Sequence, residues 1–243
     1  MNLPDSNHLQ SFDRLGFALI PNVIGQEEMA QLIQAITQTN PNSTAIRQRG
    51  QGTYAMRNLL ETVPAVKTLA ASTPIRLLVE SILGPTAFPV RGLLFDKTPE
   101  ANWKVAWHQD LSVAVKHRIE VAGFGPWSIK AGIQHVQPPA SVLEQMLTVR
   151  LHLDDSHEEN GPLQVLPGSH IHGKLGAQEI EAWRNQTPAT PCIIGQGGVL
   201  LMRPLLLHAS SPAQRPGHRR VIHLEFAAKS LPGGLEWLAT QFA

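Results

Sequence analysis

One cysteine in 243 residues leaves no disulfide framework and no thiolate zinc site. Any bound metal must therefore be held by imidazole and carboxylate. Charge is also sparse, at 16% of residues, and 20 Lys+Arg against 19 Asp+Glu leave a formal net charge of +1. A balance so close to zero carries no electrostatic footprint for nucleic acid or an anionic membrane. Aromatic residues make up only 5%, and no apolar run approaches the ~18 residues a membrane span needs. The first residues lack the basic and apolar regions of a signal peptide, and the last match no address signal. A reducing, cytoplasmic compartment is the expectation. Against these absences stand 42% hydrophobic residues, enough for a sizeable core, with 19 Gly and 19 Pro that favour many turns and short elements. Histidine is over-represented at 11 copies.

With no repeat, low-complexity tract or linker, the chain reads as one domain over 1–243. Residues 1–88 read as N-terminal support. Residues 12–23 suggest a short strand after the Gly16 turn. Residues 26–37 place Met29, Leu32, Ile33 and Ile36 at helical spacing, and a second helix over 75–83 stops at Gly84-Pro85. From residue 89 the texture changes to short apolar segments bounded by Gly, Pro, Asn and Asp, predicting strands near 90–96, 104–110, 147–154, 163–166, 198–201 and 219–227. The element order predicts an antiparallel sheet set that closes on itself, with helices packed on it. Residues 111–146 fit no clean period and read as an insertion, a lid or binding loop.

Three features carry chemistry. In Trp107-His108-Gln109-Asp110, residues two apart on a strand share a face, so the imidazole and the carboxylate can converge. An apolar segment ends in His208-Ala209-Ser210. Arg219 follows across the turn-rich loop 209–218, and a hairpin there would bring His208 and Arg219 together at its mouth. Two His and one carboxylate can occupy one face of Fe(II) and leave three positions open, while arginine offers a bidentate fork for a carboxylate.

These residues resemble, in order along most of the chain, the phytanoyl-CoA dioxygenase family of Fe(II)/2-oxoglutarate-dependent oxygenases. The carriers are Phe17-Ala-Leu-Ile-Pro-Asn-Val, Trp107-His-Gln-Asp110, Leu153-Asp-Asp, Glu159-Asn-Gly-Pro-Leu163, Leu166-Pro-Gly-Ser-His170, and His208-Ala-Ser210 with Arg219. The resemblance implies a mainly β chain with packed helices, its core over 89–243 a double-stranded β-helix (jelly roll, cupin-like). It further implies His108, Asp110 and His208 as iron ligands, and Arg219 as the partner of the 2-oxoglutarate C5 carboxylate. Ser210 becomes a second contact and Lys97 a weaker candidate; Arg220 replaces Arg219 if the register slips by one. The implied cofactors are Fe(II), 2-oxoglutarate and O2. The implied reaction is hydroxylation of an unactivated C–H bond of a small molecule with release of succinate and CO2. Related halogenases carry Ala or Gly where Asp110 stands, which favours hydroxylation here. Desaturation, cyclisation or epimerisation on the same iron, and a jelly-roll protein that binds metal and a small molecule without oxidation, are the rival readings.

Alternation adds candidates independently of the family. Arg219, Val221, His223 and Glu225 share one face of 219–226; Arg150, His152 and Asp154 share one face of 149–154. If Arg219 points into the barrel, His223, Arg150 and His152 follow it; otherwise these faces meet solvent. In the insertion, Trp127, Gln134 and His135 are candidate substrate contacts. The segment 160–170 reads as a structural hairpin, with His157, His170 and His172 solvated.

Overall fold

The structure, a computed structural model, describes residues 6–39, 45–49 and 52–239. Helix α1 (Ser6–Leu15) leads into β1 (Phe17–Ile20) through Gly16, whose φ of +81° favours glycine and whose Cβ would collide with the His170 ring. The short strand expected after the Gly16 turn is β1, and residues 12–15 ahead of the turn belong to α1. Helix α2 (Gln26–Thr37) has the bounds its apolar spacing predicts and buries Met29, Leu32 and Ile36. Strands β2 (Ile46–Arg49) and β3 (Gly52–Arg57) follow, then three helices, α3 (Leu59–Thr62), α4 (Pro64–Ala71) and α5 (Thr73–Leu83). Prolines in their first turns suit α4 and α5, and Gly84, at φ +84°, ends the latter.

The long strand β4 (Phe88–Lys97) precedes β5 (Val105–His108). The insertion supplies β6 (Val113–Val115), β7 (Trp127–Lys130), β8 (Ile133–Val136) and α6 (Ala140–Leu143). The remainder is β9 (Met146–His152), β10 (Leu163–Val165), α7 (Ala177–Gln186), β11 (Thr190–Pro191), β12 (Val199–Met202), β13 (His208–Ser210) and β14 (Arg219–Ala227). The described strands form three antiparallel sheets. A major sheet has the order β1-β12-β9-β14-β4-β3-β2, a minor sheet β11-β10-β13-β5, and a small third β6-β8-β7. This is the mainly β, double-stranded β-helix class with packed helices.

The outer face of the major sheet carries Val149, Leu151, Leu153, Ile222, Leu224 and Phe226, which pack with helix residues such as Leu59, Leu69 and Ile75 in the largest core. Each such fully buried side chain contributes about 1.5–3 kcal/mol. The inner face is the polar one, and it too is buried, because the minor sheet covers it. A smaller apolar cluster, including Phe17, Leu163, Val165, Leu200 and Leu206, helps join the two sheets.

Three expectations need correction. First, β13 and β14 do not form a hairpin: β13 pairs with β10 and β5 in the minor sheet, β14 with β4 and β9 in the major one, so the loop between them crosses from sheet to sheet. Second, 111–146 is no structureless loop. Its strands, three or four residues long, are too short to show a period, yet Val113, Val115 and Val136 pack with Phe88, Leu231 and Trp237 in a core of their own. Third, 160–170 is not a hairpin; β10 lies between β11 and β13, and His170 is buried against Gly16 with its Nε2 on the Asp13 carbonyl. The N-terminal part is also more than support, since β1 and the β2–β3 pair extend the major sheet at both ends.

Candidate metal centre

His108 and His208 are direct cross-strand partners on β5 and β13, with ring centroids 4.2 Å apart. Each ring turns its Nδ1 onto the carbonyl two residues earlier, Ala106 at 2.8 Å and Leu206 at 2.9 Å. A carbonyl only accepts, so both Nδ1 atoms carry the proton and both Nε2 lone pairs face the same space. Asp110 lies just beyond the end of β5. Its N–H donates to the Pro204 carbonyl, while the neighbouring Gln109 amide donates to the carbonyls of Gly173 and Leu205 and accepts from the Leu175 N–H. Those bonds turn the chain so that the Asp110 carboxylate returns to the histidines.

Asp110 Oδ1 is 3.9 Å from His108 Nε2, and Oδ2 is 3.7 Å from His208 Nε2. One donor atom from each of the three residues falls within 4.8 Å of the others. Oδ2 of Asp110 is buried with no hydrogen-bond partner among the described residues. The two measured spans are ones that bonds of about 2.0–2.2 Å to a single ion can bridge. Burial alone would raise the Asp110 pKa, but His208, His223, His108 and Arg150 together pull it down to about 2. Burial drives His208 down to about 4 against the opposing pull of Asp110. At neutral pH the carboxylate is ionised and the His208 ring neutral, the forms that bind metal. The residues present fit a ferrous ion.

A cavity of about 430 Å³ opens over these three residues. At one end, Arg219 of β14 and Lys97 of β4 are backbone partners. Arg219 is 5% exposed, and among the described residues its Nε and Nη1 have no partner. Burial, then Arg150, pushes its pKa down to about 10. Lys97, the weaker carboxylate candidate, is 2% exposed: its Nζ donates to Ser210 Oγ at 2.6 Å, to the Ser211 carbonyl and, at 3.4 Å, to the Gly161 carbonyl. Ser210 Oγ in turn donates to the Gly161 carbonyl at 3.0 Å. Burial, then Arg219, brings Lys97 down to about 7. Arg220 points to the other side, where Nε and Nη2 grip Asp154 at 2.8 and 2.6 Å. Of the two arginines weighed from the sequence, Arg219 is the one in the cavity.

The inner-face residues form a relay across β9, β14 and β4. Arg150 Nη1 donates to His223 Nδ1 at 2.8 Å, His223 Nε2 donates to Glu225 Oε1 at 3.3 Å, and Glu225 accepts from Arg91 Nη1 at 3.0 Å. Burial would raise the Glu225 pKa; Arg91 and His223 outweigh it and hold the carboxyl below its usual range. Arg150 and His223 line the cavity. His152 is buried but does not line it; burial, then Arg150 and Arg219, depresses its pKa to about 3. Trp127, Gln134 and His135 sit in the third sheet and are not among the lining residues. The insertion reaches the cavity instead through Leu111, Ser112, Lys130 and Gln137. None of these four was a sequence candidate, nor were Arg57 and Arg91. Strand parity with Lys97 pointed to Arg91; nothing in the sequence alone ties β3 to the site.

A model of the phytanoyl-CoA dioxygenase (PhyH) family matches residues 12–221. The chain belongs to this family. Among curated family relatives, the ectoine dioxygenase of Bordetella parapertussis is 25% identical over 175 residues, covering 68% of this chain and 49% of that protein. The chain spans about half the length of the curated relatives it matches. Solved structures support the family fold. EctD from S. alaskensis in its apoform superposes at TM-score 0.72 with 18% identity, over 92% of this chain and 77% of that one. AviO1 from Streptomyces viridochromogenes gives 0.65 and 23%, over 96% and 99%. SnoK, a non-heme α-ketoglutarate-dependent carbocyclase from nogalamycin biosynthesis, gives 0.70 and 14%, over 92% and 83%.

Proposed function

We propose that the protein is an Fe(II)- and 2-oxoglutarate-dependent dioxygenase that hydroxylates an unactivated C–H bond of a small organic substrate, with release of succinate and CO2. The observation that carries this reading is the convergence of His108, Asp110 and His208 opposite a buried arginine without a partner. His108, Asp110 and His208 would hold the iron, which, when bound, couples O2 reduction to oxidative decarboxylation of the keto acid. The chain's own residues do the rest. The Nδ1–H bonds to Ala106 and Leu206 fix the orientation of both rings and leave each Nε2 aimed at the metal position. Arg219 offers its free guanidinium to the C5 carboxylate, with Ser210 and Lys97 beside it. Phe95, Trp103 and Leu93 line the walls and exclude water from the reacting carbon. Asp110 would supply the carboxylate ligand that related halogenases lack, which favours hydroxylation over halogenation. Arg150 and His223, which line the cavity, would meet the substrate.

Anaerobic titration of the metal-free protein with Fe(II) and then 2-oxoglutarate, followed by visible absorbance, tests the reading. A charge-transfer band is expected on adding the keto acid. No band, with iron loading established by metal analysis, would overturn it in favour of a metal and small-molecule binder. With the band in hand, product analysis separates hydroxylation from desaturation, cyclisation and epimerisation.

A further inference from the structure

The cavity has a second cationic end. Arg57 of β3, Arg91 of β4 and Lys130 of β7 all line it. On the inner face, Arg57 stands opposite Leu93, and Arg91 opposite Glu225. Lys130 closes the β7–β8 turn, opposite Ile133. Arg91 has Glu225 at 3.0 Å. Among the described residues, neither Arg57 nor Lys130 has a carboxylate in salt-bridge reach, and the buried Nε of Arg57 lacks any partner. Burial, then Arg91 and Arg57, lowers the Lys130 pKa; burial, then Arg91 and Arg47, lowers that of Arg57. The three cations therefore repel one another across partly dry space, an arrangement that an incoming anion relieves.

This end is distinct from the Arg219 end. Along β4, Arg91 and Lys97 are six positions apart, on the order of 20 Å between their Cα atoms, with the cavity-lining Leu93 and Phe95 between them. The two cationic clusters therefore rise from different parts of the cavity wall. The metal ligands lie between: the Asp110 carboxylate feels His223 and Arg150, which sit one inward-facing position along the sheet from the Glu225–Arg91 pair.

We propose that Arg57, Arg91 and Lys130 form a subsite for an acidic group of the primary substrate, a carboxylate or a phosphate ester, at the end of the cavity away from Arg219. The proposal rests on the dioxygenase reading for what happens to that substrate. One inward-facing step along a strand is on the order of 7 Å, so the oxidised carbon lies within a few bonds of the acid. The substrate is a compact acid docked head-first on Arg57, with Lys130 closing over it from the insertion.

The test uses inorganic phosphate and propionate as probes, by titration calorimetry under anaerobic conditions, on protein saturated with Fe(II) and 2-oxoglutarate. At least one probe is expected to bind the wild type. In R57A/K130A that binding weakens about tenfold or more, as loss of charge-assisted bonds requires, and R57K retains most of it. The keto-acid charge-transfer band and 2-oxoglutarate affinity remain unchanged in both variants. Phosphate binding with weak propionate binding identifies a phosphate ester; the reverse identifies a carboxylate. No binding of either probe, or binding that R57A/K130A leaves intact, overturns the subsite. Absence of the band in the wild type overturns the dioxygenase reading instead, and the probe titration then judges the anion subsite on its own.

Discussion

Replacing Arg219 by Met should make the metal-free protein more stable and the co-substrate much weaker. Arg219 is 5% exposed, its Nε and Nη1 are unpaired, and its pKa stands at about 10 against an ordinary 12.5. That difference corresponds to about 3 kcal/mol spent on holding the guanidinium charged inside the fold. Methionine fills similar space without a charge, so most of that cost disappears. For a chain of this size a gain of that order raises the melting temperature by about 5–10 °C. Once a carboxylate is bound, the sign reverses. The variant then forfeits a bidentate charge-assisted pair of about 2–4 kcal/mol, or roughly 30- to 1000-fold in 2-oxoglutarate affinity. Scanning fluorimetry of the metal-free protein and calorimetric titration of 2-oxoglutarate on the Fe(II) protein read the two effects. A lower melting temperature with unchanged affinity would refute the argument. R220M provides the contrast: it breaks the pair with Asp154, lowers stability by about 1 kcal/mol and leaves the co-substrate alone.

Other expectations follow from the same geometry. H108A and H208A should each lose stoichiometric iron, read by metal analysis after desalting; full retention in both would remove the ligand assignment. Lys97 gains its proton as pH falls through about 7, so 2-oxoglutarate affinity should rise from pH 8 to pH 6, and K97M should flatten that dependence in calorimetric titrations. The same depressed pKa means the unfolded chain holds the lysine proton more tightly, so this group makes the fold more stable as pH rises from about 7 toward its ordinary 10.5. Gly161 has φ +66°, and a Cβ there would run into the Ser211 carbonyl. G161A should therefore cost about 1–3 kcal/mol in chemical denaturation and weaken 2-oxoglutarate binding, because Gly161 also accepts from Lys97 and Ser210.

Much of this architecture is legible in the sequence, for physical reasons. Helix α2 and strand β14 were visible with their final bounds because each buries one apolar stripe of the right period. The inner and outer faces of β9 and β14 could be sorted because only one face of each is apolar. Helix α7 was invisible, since it buries no residue and so has no apolar stripe. The β2–β3 pair, with Arg and Gln along β2, gave no strand signal and took Arg57 out of view with it. The contact between β5 and β13 depends on two strands about one hundred residues apart in the chain. No local pattern encodes that pairing; the family resemblance implies only that His108, Asp110 and His208 share a metal, and the hairpin suggested by loop length does not form.

The pairing of His108 with His208 has a mechanical side. Strand β5 is the last strand of the minor sheet and has only β13 for a neighbour there. An ion shared by the two rings and Asp110 would act as a clasp on that seam, tying off a loop of about one hundred residues. A covalent cross-link of that span is worth about 4–5 kcal/mol by chain entropy. The seam is thus where the metal-free protein should first come undone, with amide exchange in Val105–His108 far faster than in β9 or β14 and slowing sharply once iron is in place. The centre that would do the chemistry is, on this account, also the buckle of the barrel.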